Sequence, residues 1–231
     1  MARNGYDELG QLKSKRVGGP STGQGLQKVD YAYNIRGWLK GINDVGALVQ
    51  SGDPTDLFGF KLNYNGPEDP YLGTALYNGN ISETYWKTLP DNNLRGYAYY
   101  YDGLNRLEGA TYIKPEDANP YADFYNENVG YDVNGNITFM YRNGYREENG
   151  GEVYNIDFLG YDYQEKSNRL LGVTDQSESL EGFRDGNLEG NAVHPDDYVY
   201  DASGNMVQDW DKGISGISYN HLGLPVKIRF S

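Results

Sequence analysis

The stretch Tyr97-Ala98-Tyr99-Tyr100-Tyr101-Asp102-Gly103-Leu104-Asn105-Arg106-Leu107 decides the fold. Its first half alternates as a β-strand does. Asp102 can bond its own backbone and so open a turn. Asn105, four residues after Tyr101, tolerates a left-handed conformation. Leu107 then starts a return strand. The segment reads as a β-hairpin.

The same wording returns along the chain. It begins as Tyr6-Asp7-Glu8-Leu9-Gly10-Gln11-Leu12 and continues as Tyr33-Asn34-Ile35-Arg36-Gly37-Trp38-Leu39. After the copy at Tyr101, Asp102 and Asn105 come Tyr131-Asp132-Val133-Asn134-Gly135-Asn136-Ile137 and Tyr200-Asp201-Ala202-Ser203-Gly204-Asn205-Met206. The last is Tyr219-Asn220-His221-Leu222-Gly223-Leu224-Pro225, with Pro where the apolar residue belongs. Looser relatives lie at Tyr77-Asn78-Gly79-Asn80-Ile81 and from Tyr161 to Leu170. Asn-Gly pairs at 4, 65, 78, 134, 143 and 149, with Asp-Gly pairs at 102 and 185, add the strongest short hairpin signal.

Composition agrees. Tyr accounts for 23 residues and Gly for 31 of 231. Tyr forms strands and keeps a wet hydroxyl, and Gly supplies turns. The mean hydropathy of −0.76 would suit a disordered chain, but 14% aromatic content does not. Tyrosines must therefore carry much of a thin, amphipathic core. The net charge of −13 repels phosphate backbones, which argues against nucleic acid as a partner. With no cysteine there are no disulfides, zinc fingers or thiol chemistry. No segment has the apolar length of a membrane span, and the first 30 residues hold no signal-peptide run.

The strands expected from this pattern lie near 29–35, 38–42, 57–64, 80–87, 95–101, 106–113, 124–132, 136–142, 153–163, 169–174, 198–201, 205–210, 214–220 and 225–230. Short helical turns are expected at 47–50 and 116–124. Residues 1–28 read as a loose repeat start, Gly/Ser-rich over 13–28, and 29–231 as one β domain. An acidic loop at 175–197 is expected to be exposed.

The Tyr-Asp-x-x-Gly/Asn-x-Leu repeats resemble the YD repeats of RHS proteins, teneurins and the cage-forming subunits of insecticidal toxin complexes. The wording at Tyr33–Lys40, Tyr77–Ser82, Tyr101–Leu107 and Asp197–Asp209 is most similar to RHS proteins of Bacteroidetes-type bacteria. The resemblance covers residue 5 to the end. It implies an all-β fold of consecutive antiparallel hairpins, forming a curved, open segment of a spiralling β-sheet shell. In bacterial members the shell often encloses a toxic C-terminal segment that follows a self-cleaving core region. Neither that region nor a toxin segment is present here, so the resemblance implies a stretch of a longer secreted or cell-surface parent. Its partners would be neighbouring repeats, with residues near 5–12 and 225–230 pairing with them, and an enclosed C-terminal toxin.

No residue set reads as catalytic or cofactor-binding, so a hydrolase is the weakest reading. Asp132–Asn136 and Asp201–Asn205 resemble the opening of a calcium loop but lack Gly at the sixth place. His194 and His221 stand without partners at ligand spacing. The acidic pairs Glu68/Asp69, Glu116/Asp117 and Asp196/Asp197 read as solvated turns. Gly23-Gln24-Gly25 lacks the strand–turn–helix context of a dinucleotide fingerprint. The sequons Asn80-Ile81-Ser82 and Asn136-Ile137-Thr138 read as hairpin turns. The alternative function is a surface module that binds a glycan or a protein by stacking on Trp38, Trp86 and Trp210. Trp38 and Trp210 directly follow turn motifs, so both are expected to be structural.

Overall fold

The computed structural model describes residues 2–20, 25–147, 151–177, 179–186 and 196–231. They are all-β, with strands, turns and bends and no helix among them. The stretches 47–50 and 116–124, expected as helical turns, are irregular or turns. Neither has the apolar spacing to hold a helix against the sheet. His194, Gln24 and the Asn-Gly pair at 149 lie outside the described residues, as does 187–195 of the acidic loop.

The chain folds as two compact units, Met1–Asp123 and Phe124–Ser231. The first holds β1 (Ala2–Tyr6), β2 (Leu12–Val17), β3 (Gln27–Tyr33), β4 (Leu39–Ile42), β5 (Phe58–Asn63), β6 (Glu83–Thr88), β7 (Arg95–Tyr101) and β8 (Leu107–Ile113). Each pairs antiparallel with the next in sequence. β1 and β2 were not expected. The stretch 12–17, Leu-Lys-Ser-Lys-Arg-Val, has too few apolar residues to read as a strand, yet it pairs on both sides.

The second unit holds β9 (Glu127–Tyr131), β10 (Ile137–Arg146), β11 (Glu152–Tyr163) and β12 (Leu170–Asp175), paired in that order. A four-stranded sheet follows, from β13 (Tyr198–Tyr200), β14 (Met206–Asp209), β15 (Ile214–Tyr219) and β16 (Pro225–Phe230), again in sequence order.

The buried apolar set is small: Leu48, Leu62, Tyr85, Ala98, Ala110, Tyr112, Ile113, Leu159, Val173 and Tyr198. Three of these are tyrosines, as many as the leucines, as a Tyr-rich chain requires. In the first unit Gly96 lets the Tyr85 ring lie against the β7 backbone, since a Cβ there would stand 2.8 Å from that ring. In the second, Leu159, Val173 and Tyr198 join strands of both sheets, with Met140, Tyr161, Phe183 and Met206 packed around them.

Candidate functional site

The repeated unit is a hairpin of one fixed construction. In the copy at Tyr101, the Asp102 amide donates to the Arg106 carbonyl at 2.9 Å, and the Asn105 amide donates to the Asp102 carbonyl at 3.0 Å. Asp102 Oδ1 accepts from the amides of Leu104 and Arg106 at 2.8 and 2.9 Å. Asp7, Asn34, Asp132, Asp201 and Asn220 accept from the same two positions of their own turns. The fourth residue after each Tyr has positive φ: Gly10 (79°), Gly37 (78°), Asn105 (64°), Gly135 (91°), Gly204 (85°) and Gly223 (72°).

The register is equally constant. Tyr6, Tyr33, Tyr101, Tyr131, Tyr200 and Tyr219 pair with Leu12, Leu39, Leu107, Ile137, Met206 and Pro225, each six residues on. The ladder then skips one residue in every copy, so a β-bulge follows the apolar position. Pro225 fits because it occupies only the first place of its strand. The loose copy at Tyr161–Leu170 resolves into Tyr163 pairing with Leu170 across a turn one residue longer.

Successive hairpins are joined through the same tyrosine. The Tyr64 hydroxyl donates to the Leu39 carbonyl at 2.9 Å, and Tyr101 donates to Ile81 at 2.9 Å. Tyr163 donates to Ile137 at 3.0 Å, and Tyr219 to Met206 at 2.6 Å. Leu39, Ile137 and Met206 open the return strand of the preceding hairpin, and Ile81 lies just before its return strand, β6. Tyr200 instead lies under the Arg169 guanidinium, 5.2 Å from its ring centre. Burial pushes the hydroxyl pKa of Tyr64, Tyr101 and Tyr163 upward, which keeps the donors protonated. The turns touch as well, since Asn136 Nδ2 donates to Asn168 Oδ1 at 3.0 Å.

Tyr64 exposes a repeat that the sequence concealed. It directly follows β5, where a repeat tyrosine belongs, but 65–82 intervenes before β6. The sequence assigned this copy to Tyr77, which is 66% exposed. The signal was Tyr64-Asn65-Gly66, masked by the insertion.

Buried carboxylates anchor the insertions. Glu83 is fully buried and accepts from Asn63 Nδ2 and from the amides of Glu68 and Asp69. Asp157, also fully buried, pairs with Arg142 and accepts from the Phe183 amide. Glu116 and Asp117 pair with Lys87 and Lys114. Asp197 accepts from the Val173 amide at 2.8 Å. These acids hold loops rather than face one another across a cleft, as glycosidase chemistry needs.

Asp185, Asp197 and Asp211 each place a carboxylate oxygen within 4.8 Å of the others, a spacing able to hold a cation. Burial first, then the neighbouring Asp197 charge, pushes Asp211 up to about 6, against a Tyr198 hydroxyl that donates to it at 2.7 Å. A cleft of about 520 Å³ is lined by Arg146, Tyr154, Ser177 and Glu181. Its charged groups answer each other: Arg146 pairs with Glu181 and lies 4.0 Å over the Tyr154 ring.

The tryptophans are half-buried. Trp38 packs 5.2 Å from the Tyr64 ring, with Arg36 at 5.1 Å. Trp86 stacks on Tyr97 at 5.7 Å and meets Tyr112 at 6.1 Å. Trp210 follows β14, and its amide donates to the Asp197 carbonyl at 2.9 Å.

No protein-family model and no curated protein matches the sequence. Among solved structures, TcdB2–TccC3–Cdc42 aligns with a TM-score of 0.57 at 13% identity, over 98% of this chain and 11% of that one. TcdB2–TccC3–TEV aligns at 0.55 with the same identity and coverage. The chain has the fold of a TcdB2–TccC3 segment. A Photorhabdus luminescens Tc holotoxin pore containing TccC3 aligns at 0.44, too low to argue from. This chain spans about a tenth of the TcdB2–TccC3 chains it aligns to. No described helix is long and apolar enough to cross a membrane.

Proposed function

We propose that this chain is a non-catalytic wall segment of an RHS/YD-repeat protein. Its mechanism is geometric. Asx side chains and left-handed residues close the turns, and at Tyr64, Tyr101, Tyr163 and Tyr219 the hydroxyl ties one hairpin to the one before. The observation that carries the reading is this hairpin-to-hairpin hydroxyl bond, which recurs in both units. A module that repeats one joint from hairpin to hairpin is built to extend a surface.

On this reading the wall belongs to a β-cage around a C-terminal cargo, often a toxin, used in bacterial competition or secretion. The parent is secreted or displayed at the cell surface. Its neighbouring repeats pair with β1 and β16, and the turn residues Tyr6 through Gly223 are structural. The likeness to TcdB2–TccC3 and the repeat wording support this together. The glycan-binding alternative has less support, because Trp38 and Trp86 spend ring faces on Tyr64, Arg36, Tyr97 and Tyr112.

The test is the intact mass of the native polypeptide in its source cell, with limited proteolysis of that polypeptide. A mass far above 26.0 kDa with a protease-protected C-terminal segment is expected. A free 26.0 kDa chain that binds glycans would overturn the proposal.

A further inference from the structure

Two insertions of the first unit meet through a pair of tyrosines. Tyr71 lies in the loop between β5 and β6, and Tyr121 in the loop after β8. Their ring centres stand 6.1 Å apart at 90°. Asp69 arranges both. Its Oδ1 accepts from the amides of Tyr71 and Leu72 at 2.9 Å, and its Oδ2 accepts from the Tyr121 hydroxyl at 3.0 Å. Asp69 is itself fixed, because its amide donates to the fully buried Glu83 at 2.9 Å. The second loop is closed by the Lys114 amide donating to the Pro120 carbonyl at 3.0 Å. Tyr71 is 80% exposed, so a reagent reaches the pair from solvent.

A phenol bonded to a carboxylate, with a second exposed phenol in ring contact, is arranged for oxidative coupling. We propose that Tyr71 and Tyr121 form a dityrosine cross-linking site that staples the two loops of a chain without cysteine. The oxidant class is a haem peroxidase acting with hydrogen peroxide. Each phenol loses one electron and its hydroxyl proton, and the Tyr121 proton passes to Asp69. The two radicals join through ring carbons ortho to oxygen, forming one C–C bond. The hydrogens on those carbons then move to the oxygens by way of solvent, restoring both phenols. Two electrons and two protons leave in all, and one peroxide takes them up as two waters. The contact of Tyr97 with Tyr112 differs, because Tyr112 is buried at 3% exposure. A covalent link between residues so distant in sequence also restricts the unfolded chain, as a disulfide does.

The experiment treats the dilute full chain with a haem peroxidase and hydrogen peroxide, then maps cross-linked peptides and reads dityrosine fluorescence. The expected product is a monomer in which one 71–121 link dominates, with a raised melting temperature. Tyr71→Phe, at an exposed position that leaves the fold intact, should abolish that link. Asp69→Asn can still accept from the loop amides but takes up no proton, and should slow the link several-fold while oxidation at exposed Tyr77 is unchanged. Links spread over Tyr6, Tyr77 and other exposed tyrosines, links formed only between chains, or an Asp69→Asn rate equal to wild type would each overturn the proposal.

Discussion

Four residues after each repeat tyrosine the backbone enters the left-handed region, and the side chain there decides what the turn costs. Gly135 sits at φ 91°, where a β-branched residue is strained. Gly135→Val should therefore cost about 1–3 kcal/mol. Asp132→Asn, three residues earlier in the same turn, should cost under about 0.5 kcal/mol, within the range of surface changes. Asn34 and Asn220 already make the same acceptor bonds in their own turns, so the amide oxygen suffices. Urea denaturation of the two variants checks the pair, and equal effects would remove the turn from the account. The turn aspartates also set an acid limit. Amide donors at Arg106 hold Asp102 below the ordinary 3.8, and the Asn205 side chain and amide do so for Asp201. A depressed folded value means stability present above 3.8 and lost as pH falls through the folded value. Melting temperature should therefore drop on acidification below about pH 4, and less steeply in Asp102→Asn with Asp201→Asn.

Between neighbouring hairpins the deciding contact is one hydroxyl. Tyr163→Phe and Tyr219→Phe keep the ring and delete only the bond to Ile137 or Met206. Each should cost about 1 kcal/mol. The two bonds share no partner, so the double variant should lose the sum of the two losses. Chemical denaturation of the three variants measures this. A second element-scale effect has the opposite pH sign to the turns. Asp211 is raised to about 6 from 3.8, so the second unit gains stability as pH falls from 7 towards 4 and loses it as pH rises through 6. Discounted for partial exposure, the effect is about 1–2 kcal/mol. It should vanish in Asp211→Asn, read as the slope of melting temperature between pH 5 and 7. The turn chemistry behind these predictions was legible in the sequence, because Asp, Asn and Gly at fixed offsets act on their own backbone. The bulge was not, because its position holds Lys13, Lys40, Glu108, Thr138, Val207 and Val226, which share no chemistry. The hydroxyl bonds were not either, since their acceptors are backbone carbonyls that any residue carries. Tyr64 escaped because the motif depends on spacing, and an insertion destroys spacing without disturbing the pairing of β5 with β6.

Across each unit, every pair among the described strands joins consecutive strands, so their stability is a chain of nearest-neighbour terms. The core is thin, and its buried residues cluster on β6 to β8 and on β11 to β13. Among the described residues β16 pairs only with β15, and Val226, Ile228 and Phe230 stand 49–70% exposed along it. β1, among the described residues, pairs only with β2 and is largely exposed. An edge strand in that state gains little from burial and leaves half its backbone groups to water. Local opening should therefore begin at the outer strands. In native-state hydrogen exchange, amides of β1 and β16 should exchange fastest, and those of β7, β8, β11 and β12 slowest. Inter-strand amides that exchange at one common rate from β1 to β16 would mean that the units unfold all at once, and the nearest-neighbour description would fail. Should β1 and β16 become as protected as β7 when the surrounding polypeptide is present, the added protection would come from strands pairing onto these two edges, as a wall segment requires.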